Sequence, residues 1–303
     1  MLTSFILIHF RRWPMSDYII MTDSSCDLPA DVAEKFEITA IPLSTQIDGN
    51  TYKNYLDGSG VDIKWFYNEL REKKPATTSA VNMQDFLVEM EPILQAGRDI
   101  LYLGFSSALS STCEAGAMAA AELASKYPDR KIYTVDTLCA SLGQGLLVYL
   151  TAQERARGCS IEEARDFAER TKLHICHWFT VDDLFHLKRG GRVSAAVAVV
   201  GSMLGIKPVM HVDNEGRLIN VEKARGRRRS VERLAEKAEE LGIELAGQTV
   251  FISHGDCMED VQYLEERLHA LGVKDILVNY VGPVIGAHSG PGTLALFFVG
   301  RER

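Results

Sequence analysis

A group of closely spaced hydroxyl side chains is the part of this sequence best suited to hold a ligand. The segment GFSSALSSTCEAG, residues 104–116, carries Ser106, Ser107, Ser110, Ser111 and Thr112. The apolar residues before it predict a buried strand, and the Ala- and Glu-rich residues after it predict a helix. A strand-to-helix turn directs free N–H groups and the positive end of the helix dipole at one point, which suits a carboxylate or a phosphate. The alternative is that one serine caps the helix and the others are solvated.

Further polar residues follow other predicted strands. Residues 22–25 (TDSS) come after one strand, and Asp136 and Thr137 come after another. The alternation of strands and helices over residues 18–173 predicts a doubly wound parallel sheet, in which the loops after the strands meet at one edge. Residues 76–79 (ATTS) predict a third hydroxyl-rich loop. We therefore expect several neutral hydroxyl groups around one site.

The second half of the sequence has a different pattern. Hairpins mixed with helices predict an α+β domain with a mixed sheet in two layers over residues 174–303, after a parallel α/β domain over residues 15–173. Residues 193–205 are small and apolar, which predicts a buried helix or, alternatively, the wall of an elongated apolar cavity. Residues 282–292 contain four glycines and two prolines. They predict a stiff loop that a ligand can approach closely, with His288 at its centre.

Composition narrows the class of protein. The chain has 303 residues, 46% of them hydrophobic, which is enough for two domains with full cores. A formal charge of −8 disfavours a nucleic-acid-binding protein, and the one basic stretch, residues 223–229, is expected to be a solvated surface or a protein contact. The six cysteines form no C-x-x-C pair, so we expect reduced thiols, a cytoplasmic location and no metal site.

Residues 1–14 carry an apolar patch followed by two arginines. A secretory signal has its charge first, and a membrane-spanning helix needs about 20 apolar residues, so neither is expected. Because the first clear strand is predicted at Tyr18, we expect residues 1–14 to be a non-native or loose tail and Met15 to be the start.

Six short motifs occur in a fixed order from about residue 18 to the end of the sequence. They are Asp23-Ser24-Ser25 with Asp27-Leu28, Thr78-Ser79, Ser106-Ser107-x-Leu109-Ser110-x-Thr112, Leu187-Lys188-x-Gly190-Gly191-Arg192-Val193-Ser194, Ile206-Lys207-Pro208 and His288-x-Gly290-Pro291-Gly292. This ordered set resembles the DegV family of bacterial fatty-acid-binding proteins. Two departures flank the expected pocket: Ala80-Val81-Asn82 replaces the usual Gln-Pro-Ser, and Ser111-Thr112-Cys113 replaces the usual Gly-Thr-aromatic sequence. They leave the preferred acyl chain and head group open.

The resemblance implies a non-enzymatic lipid carrier that holds one long-chain fatty acid between two domains. The family's carboxylate-binding positions correspond here to Thr78, to Ser110 with Ser107 as its neighbour, and to His288, with Ser79 and Ser106 as supporting loop residues. The family presents the acid to a separate ATP-dependent fatty acid kinase, in the setting of phospholipid synthesis. No cofactor and no catalytic residue are implied, and a transient contact with a membrane surface stays open.

Two arginines are expected to serve that partner. Arg192 follows a Gly-Gly turn, and Arg225 begins a basic cluster between a strand and a helix. Both settings are typical of protein surfaces. We expect these residues to contact the kinase or the transferred phosphate rather than the lipid.

A competing hypothesis is a serine hydrolase that acts on acyl esters. A serine of the 104–116 turn would be the nucleophile and His288 the base, with Asp23 or Asp136 to orient it. The sequence lacks the G-x-S-x-G motif that places such a serine in many esterases. The carrier hypothesis is therefore preferred.

Overall fold

The computed structural model describes residues 17–182, 184–193 and 205–303. Within these residues the chain forms three β-sheets with helices between and around them. The tail expected at residues 1–14 and most of the apolar helix expected at residues 193–205 lie outside the described residues. In the described part of the chain, no helix is both long enough and apolar enough to cross a membrane.

The first half of the chain alternates strands and helices. Its elements are, in chain order, β1 (Tyr18–Asp23), α1 (Ala30–Lys35), β2 (Ile38–Ile41), β3 (Ser44–Ile47), β4 (Asn50–Lys53), α2 (Ile63–Arg71), β5 (Ala76–Ser79), α3 (Met83–Gln95), β6 (Asp99–Gly104), α4 (Thr112–Lys126), β7 (Ile132–Asp136), α5 (Leu142–Ala156) and α6 (Ile161–Thr171). Strands β2, β1, β6 and β7 form sheet A in that order, and every neighbouring pair is parallel. The predicted parallel α/β layer is confirmed.

The polar residues at the carboxyl ends of these strands meet at one edge of sheet A. The Thr22 hydroxyl donates to the carbonyl of Leu103 at 2.8 Å, and the Thr137 hydroxyl donates to the carbonyl of Gly104 at 2.7 Å. Asp23 accepts the N–H of Phe105 at 2.9 Å. These bonds fix the start of the Ser-rich turn between β6 and α4.

A small antiparallel sheet, sheet B, lies apart from sheet A. It consists of β4, β3 and β5 in that order. The prediction of a loop at residues 76–79 is wrong, because this segment is strand β5, with Thr78 opposite Thr45 of β3. β-Branched threonines favour strands, but the pairing partner is remote in sequence and no apolar alternation marks the strand.

The second half forms the predicted α+β layer. Its elements are β8 (Ile175–Thr180), α7 (Phe185–Arg189), β9 (Ile206–Val212), β10 (Leu218–Arg225), α8 (Arg227–Leu241), β11 (Thr249–His254), α9 (Met258–Ala270), β12 (Asp275–Tyr280), α10 (Pro283–Ser289) and β13 (Leu294–Val299). Sheet C has the order β10-β9-β8-β13-β11-β12, with only β11 and β12 parallel among its neighbouring pairs. The predicted mixed sheet is confirmed.

One predicted loop in this half is a helix. Residues 282–292 contain α10, which begins at Pro283, a residue well suited to the first turn of a helix. His288 therefore lies in the last turn of a short helix and not in the middle of a loop. Gly282 and Gly290 flank this helix and Gly286 lies within it, and so many glycines in a short segment predicted a loop instead.

Helix α5 is the element that joins the two halves. Ten of its 15 residues are buried, and Tyr149 packs on Phe251 of sheet C with ring centroids 5.4 Å apart. Gly143 permits this close approach, since a Cβ atom there would stand 2.1 Å from His177 Nε2. Sheets A and B use residues before the proposed boundary at 173–174 and sheet C uses residues after it. The division into two folding units stays a prediction.

Candidate functional site

A cavity of about 300 Å³ lies between the Ser-rich turn, helix α10 and the inner face of sheet C. Most of its wall is apolar, and the apolar residues in it are Leu43, Ala80, Phe105, Leu109, Ala140, Phe179, Leu187, Val212, Leu218, Val281, Val284, Ile285, Ala295 and Phe297. Cavities of this size and lining bind small apolar ligands, with a few polar groups to orient them. The polar lining residues therefore decide what the cavity can hold.

Four partly exposed polar side chains line the cavity, and we call them the mouth cluster: Thr78, Ser110, Arg192 and His288. Thr78 Oγ1 and His288 Nε2 are 2.8 Å apart and join residues 210 positions apart in sequence. Pairing of β5 with β3 fixes Thr78, and α10 fixes His288. Sheet B and the second half of the chain thus meet at this hydrogen bond.

Ser110 belongs to the Ser-rich turn and stands at the start of α4. Its Oγ lies 2.9 Å from Thr112 Oγ1 and accepts the N–H of Thr112 at 3.3 Å. Ser111, the residue before the first residue of α4, also lines the cavity. Hydroxyl groups at a helix N-terminus favour an anion, because the helix dipole is positive at that end.

Arg192 supplies a cation to the mouth cluster. Its Nε donates to the carbonyl of Leu109 at 3.2 Å, and its Nη1 donates to the carbonyl of Gly190 at 2.6 Å. Burial lowers the pKa of Arg192 from its usual value. The side chain is half-buried and lines the cavity, so it has only in part the surface setting that was expected for it.

The imidazole of His288 is neutral at pH 7. Burial, together with the nearby Arg192 and Arg189, lowers the pKa of His288 to about 4. Its Nδ1 finds no hydrogen-bond partner within the described residues, and it packs on Gly190, where a Cβ atom would stand 2.1 Å away. If Nε2 carries the proton, it donates to Thr78 Oγ1 and leaves the threonine proton free for a ligand.

Polar residues that were not identified from the sequence line the buried part of the cavity. Ser141 and Ser253 are buried there with their Oγ atoms 3.0 Å apart, and Ser141 donates to Asp27 Oδ2 at 2.6 Å. Burial raises the pKa of Asp27 to about 7. His177 also lines this part, and burial holds the pKa of His177 well below its usual value. Position after a strand was the available sequence clue, since Ser253 lies at the end of β11 and Ser141 follows β7.

Three residues predicted to stand at the site have other surroundings. Ser107 is exposed, and its N–H donates to Asp136 Oδ1 at 3.2 Å. The Ser106 hydroxyl is buried and donates to the carbonyl of Gly216 at 3.0 Å, which ties the turn to the β9–β10 hairpin. Ser79 is exposed on β5. None of the three is among the residues that line the cavity.

The basic stretch lies at the end of β10 and the start of α8. Arg225 is exposed and makes no ion pair within the described residues, whereas Arg227 pairs with Asp260 at 2.9 Å. The next two arginines pair with Glu232, Arg228 at 3.8 Å and Arg229 at 3.2 Å. Carboxylates thus balance the three arginines at the start of α8, whereas Lys223 and Arg225 are exposed and make no ion pair within the described residues.

The triad that the hydrolase hypothesis requires is not assembled among the described residues. His288 Nε2 is hydrogen-bonded to Thr78. In a catalytic triad the other ring nitrogen, Nδ1, would donate to an orienting carboxylate, but Nδ1 of His288 has no hydrogen-bond partner within the described residues. Asp23 is buried and accepts from Tyr102 at 3.0 Å and from Phe105. Asp136 accepts backbone N–H groups of the turn. Both carboxylates therefore hold the backbone of the site and do not orient a base.

Comparison with known proteins identifies relatives over nearly the full length of the chain. Residues 18–301 match the model of the DegV family. A DegV domain-containing protein of Clostridium perfringens is 46% identical over 290 residues, which are 95% of this chain and 99% of that protein.

Solved structures of DegV proteins are also similar to this chain over nearly its full length. A fatty-acid-binding DegV family protein from Thermus thermophilus is 29% identical, with a TM-score of 0.82 over 93% of this chain and 99% of that one. DegV of Bacillus subtilis, described as a fatty acid binding protein, is also 29% identical, with a TM-score of 0.79 over 94% and 99% of the two chains.

Proposed function

This chain belongs to the DegV family, and we propose that it binds one long-chain fatty acid in the cavity and presents the carboxylate to a separate ATP-dependent kinase. The observation that supports this most is the combination of an apolar wall with a mouth cluster of hydroxyl, imidazole and guanidinium groups. The fatty acids named for the relatives from Thermus and Bacillus support the same ligand class.

The apolar wall supplies most of the affinity. Each buried methylene contributes about 0.8 kcal/mol, and one hydrogen bond to a charged group contributes about 1.5–3 kcal/mol. Roughly two to four methylenes therefore equal one contact of the carboxylate. The tail determines how tightly the acid is held, and the mouth cluster determines which end faces outwards.

The mouth cluster orients the carboxylate without neutralising it completely. Thr78 and Ser110 offer hydroxyl protons, and His288 aligns Thr78 as a neutral donor. Arg192 already bonds two carbonyls, so it adds positive potential without closing a bidentate clamp on the ligand. A carboxylate oxygen then stays able to attack the γ-phosphorus of ATP. The new bond gives an acyl phosphate, and the broken bond to that phosphorus releases ADP.

The kinase would approach the partly exposed side of the mouth cluster. Arg225 is suited to dock a protein partner, because it is exposed and its charge is uncompensated within the described residues. Arg192 stands at the cavity, where it can meet the carboxylate and the transferred phosphate.

Native mass spectrometry of the purified full chain tests the proposal. We expect a mass increment equal to one long-chain fatty acid, which extraction removes and which added octadecanoic acid restores. Adding a fatty acid kinase and ATP to the loaded protein should give an acyl phosphate that hydroxylamine traps. A chain that carries no acid and takes up none on titration refutes the carrier proposal.

A further inference from the structure

A second polar group lies at the cavity wall away from the mouth cluster. It consists of Ser141 and Ser253, which line the cavity, and of Asp27, which accepts from Ser141, and we call it the inner hydroxyl cluster. Its members come from the segment after β1, the start of α5 and the end of β11, and they are 3%, 5% and 0% exposed. Ser141 and Ser253 face a cavity whose wall is otherwise mainly apolar.

Ionisation of Asp27 sets the direction of the hydrogen bonds in this cluster, and burial raises the pKa of Asp27 to about 7. Above that pH the carboxylate can only accept, so the single proton of the Ser141 hydroxyl is donated to Asp27 Oδ2 at 2.6 Å. The 3.0 Å contact between the two serines must then use the proton of Ser253. Ser253 Oγ is left with lone pairs and no proton to give, and it lines the cavity. The cluster therefore needs a hydrogen-bond donor from the ligand, and an alkyl chain has none.

The backbone at Ser141 shows that this arrangement is maintained against strain. Its φ is 51° and its ψ is −145°, in a region that favours glycine. Such conformations persist where surrounding contacts enforce them, often at ligand sites. Here the contacts around the residue include the hydrogen bonds of the Ser141 hydroxyl and the N–H of Gly145, which donates to the Ser141 carbonyl at 3.1 Å.

The length of helix α10 gives the distance between the mouth cluster and the inner hydroxyl cluster. The N–H of Gly282, just before the helix, donates to Asp27 Oδ1 at 3.0 Å, whereas His288 in the last turn belongs to the mouth cluster. Val284 and Ile285, between these ends, line the cavity, so the cavity runs along the helix. Six residues of helix span about 9 Å. An extended chain advances about 1.2 Å per bond, so about seven or eight bonds connect the two positions.

We propose that the cavity selects a fatty acid with a hydroxyl group at about its eighth or ninth carbon, whose O–H donates to Ser253 Oγ. This inference deepens the proposed function and rests on it. A hydroxyl at that position meets the only serine pair of the described cavity wall that is linked to a buried carboxylate.

Calorimetric titration of the extracted full chain with four 18-carbon acids at pH 8.5, where Asp27 is ionised, tests the inference. The acids are octadecanoic, 9-hydroxyoctadecanoic, 9-oxo-octadecanoic and 16-hydroxyoctadecanoic acid. We expect 9-hydroxyoctadecanoic acid to bind about 2- to 12-fold more tightly than octadecanoic acid, the effect of one net hydrogen bond. The oxo acid cannot donate and the 16-hydroxy acid is misplaced, so neither should show the gain.

Two variants identify the cluster as the cause. Ser253→Ala removes the acceptor, and Ser141→Gly removes the neighbouring hydroxyl at a φ that glycine tolerates. Both should lower the affinity ratio of the 9-hydroxy acid to octadecanoic acid to one or below. Ser111→Ala, at the other end of the cavity, should leave the ratio unchanged.

The outcomes separate this inference from the proposed function. If octadecanoic acid binds but the ratio is one in the parent, the selectivity inference is overturned and the carrier proposal stands. An equal gain for the oxo acid, or an unchanged ratio in both cluster variants, also overturns it. If no acid binds, both proposals fail.

Discussion

Replacing Thr78 with valine tests the mouth cluster most directly. Valine keeps the shape and the β-branching of threonine, favours strands and removes only the hydroxyl. The Thr78→Val variant should therefore keep strand β5 paired with β3. It loses the 2.8 Å hydrogen bond to His288 Nε2 and the proton offered to the ligand.

The structure sets the size of the expected effect. Loss of one hydrogen bond to a carboxylate costs about 1.5–3 kcal/mol, which raises the Kd by about 10- to 150-fold. The free energy of unfolding of the lipid-free protein should fall by about 1–3 kcal/mol, because His288 Nε2 loses its partner while Nδ1 already has none. Binding should therefore suffer at least as much as stability.

Titration calorimetry with octadecanoic acid and urea unfolding of the same lipid-free samples measure both quantities. Thr77→Val is the matched control, because Thr77 is the preceding residue on the same strand, is exposed, and points to the opposite face. The control should bind like the parent. The assignment of Thr78 is wrong if its variant also binds like the parent, or if both variants weaken binding equally.

Three further predictions concern other parts of the site. Ser110→Ala should raise the Kd for octadecanoic acid by about 10- to 150-fold while Ser107→Ala leaves it unchanged, and equal effects would contradict the cavity lining. Arg225→Ala should slow acyl-phosphate formation with the kinase at full fatty-acid occupancy, and loss of bound lipid would instead place this residue at the cavity. Asp27 has a folded pKa of about 7, above its usual 3.8, so its contribution to stability is complete below about pH 4 and is lost as the pH rises through 7. Between pH 5 and pH 8, the free energy of unfolding of the parent, measured with urea, should therefore fall by on the order of 2 kcal/mol more than that of the Asp27→Asn variant. Equal decreases in the two proteins would refute the buried, titrating carboxyl.

The layers of the fold and the Ser-rich turn were predictable because their information is local. The alternation of apolar strands and helices predicted that the strands of sheet A are parallel. Hydroxyl groups after β6 predicted the turn, in which Ser110 does line the cavity. The roles of the mouth cluster in binding stay predictions.

What could not be predicted depends on contacts between distant segments. Thr78 lies in a strand because β3 pairs with it, and no feature of residues 76–79 shows that partner. Ser141, Ser253 and Asp27 meet only after α5 is packed between the sheets. Arg192 was expected at the surface since a Gly-Gly turn precedes it, but the carbonyls of Leu109 and Gly190 hold it at the cavity.

The mouth cluster combines residues from sheet B, from the turn after β6, from the turn after α7 and from helix α10. A ligand that contacts all of them braces four parts of the chain that are distant in sequence. At a free ligand concentration of 100 times the Kd, such bracing adds about 2.7 kcal/mol to the free energy of unfolding. Unfolded chains are the ones that proteases remove, so the lifetime of this protein in the cell should lengthen when its ligand is plentiful and shorten when it is scarce.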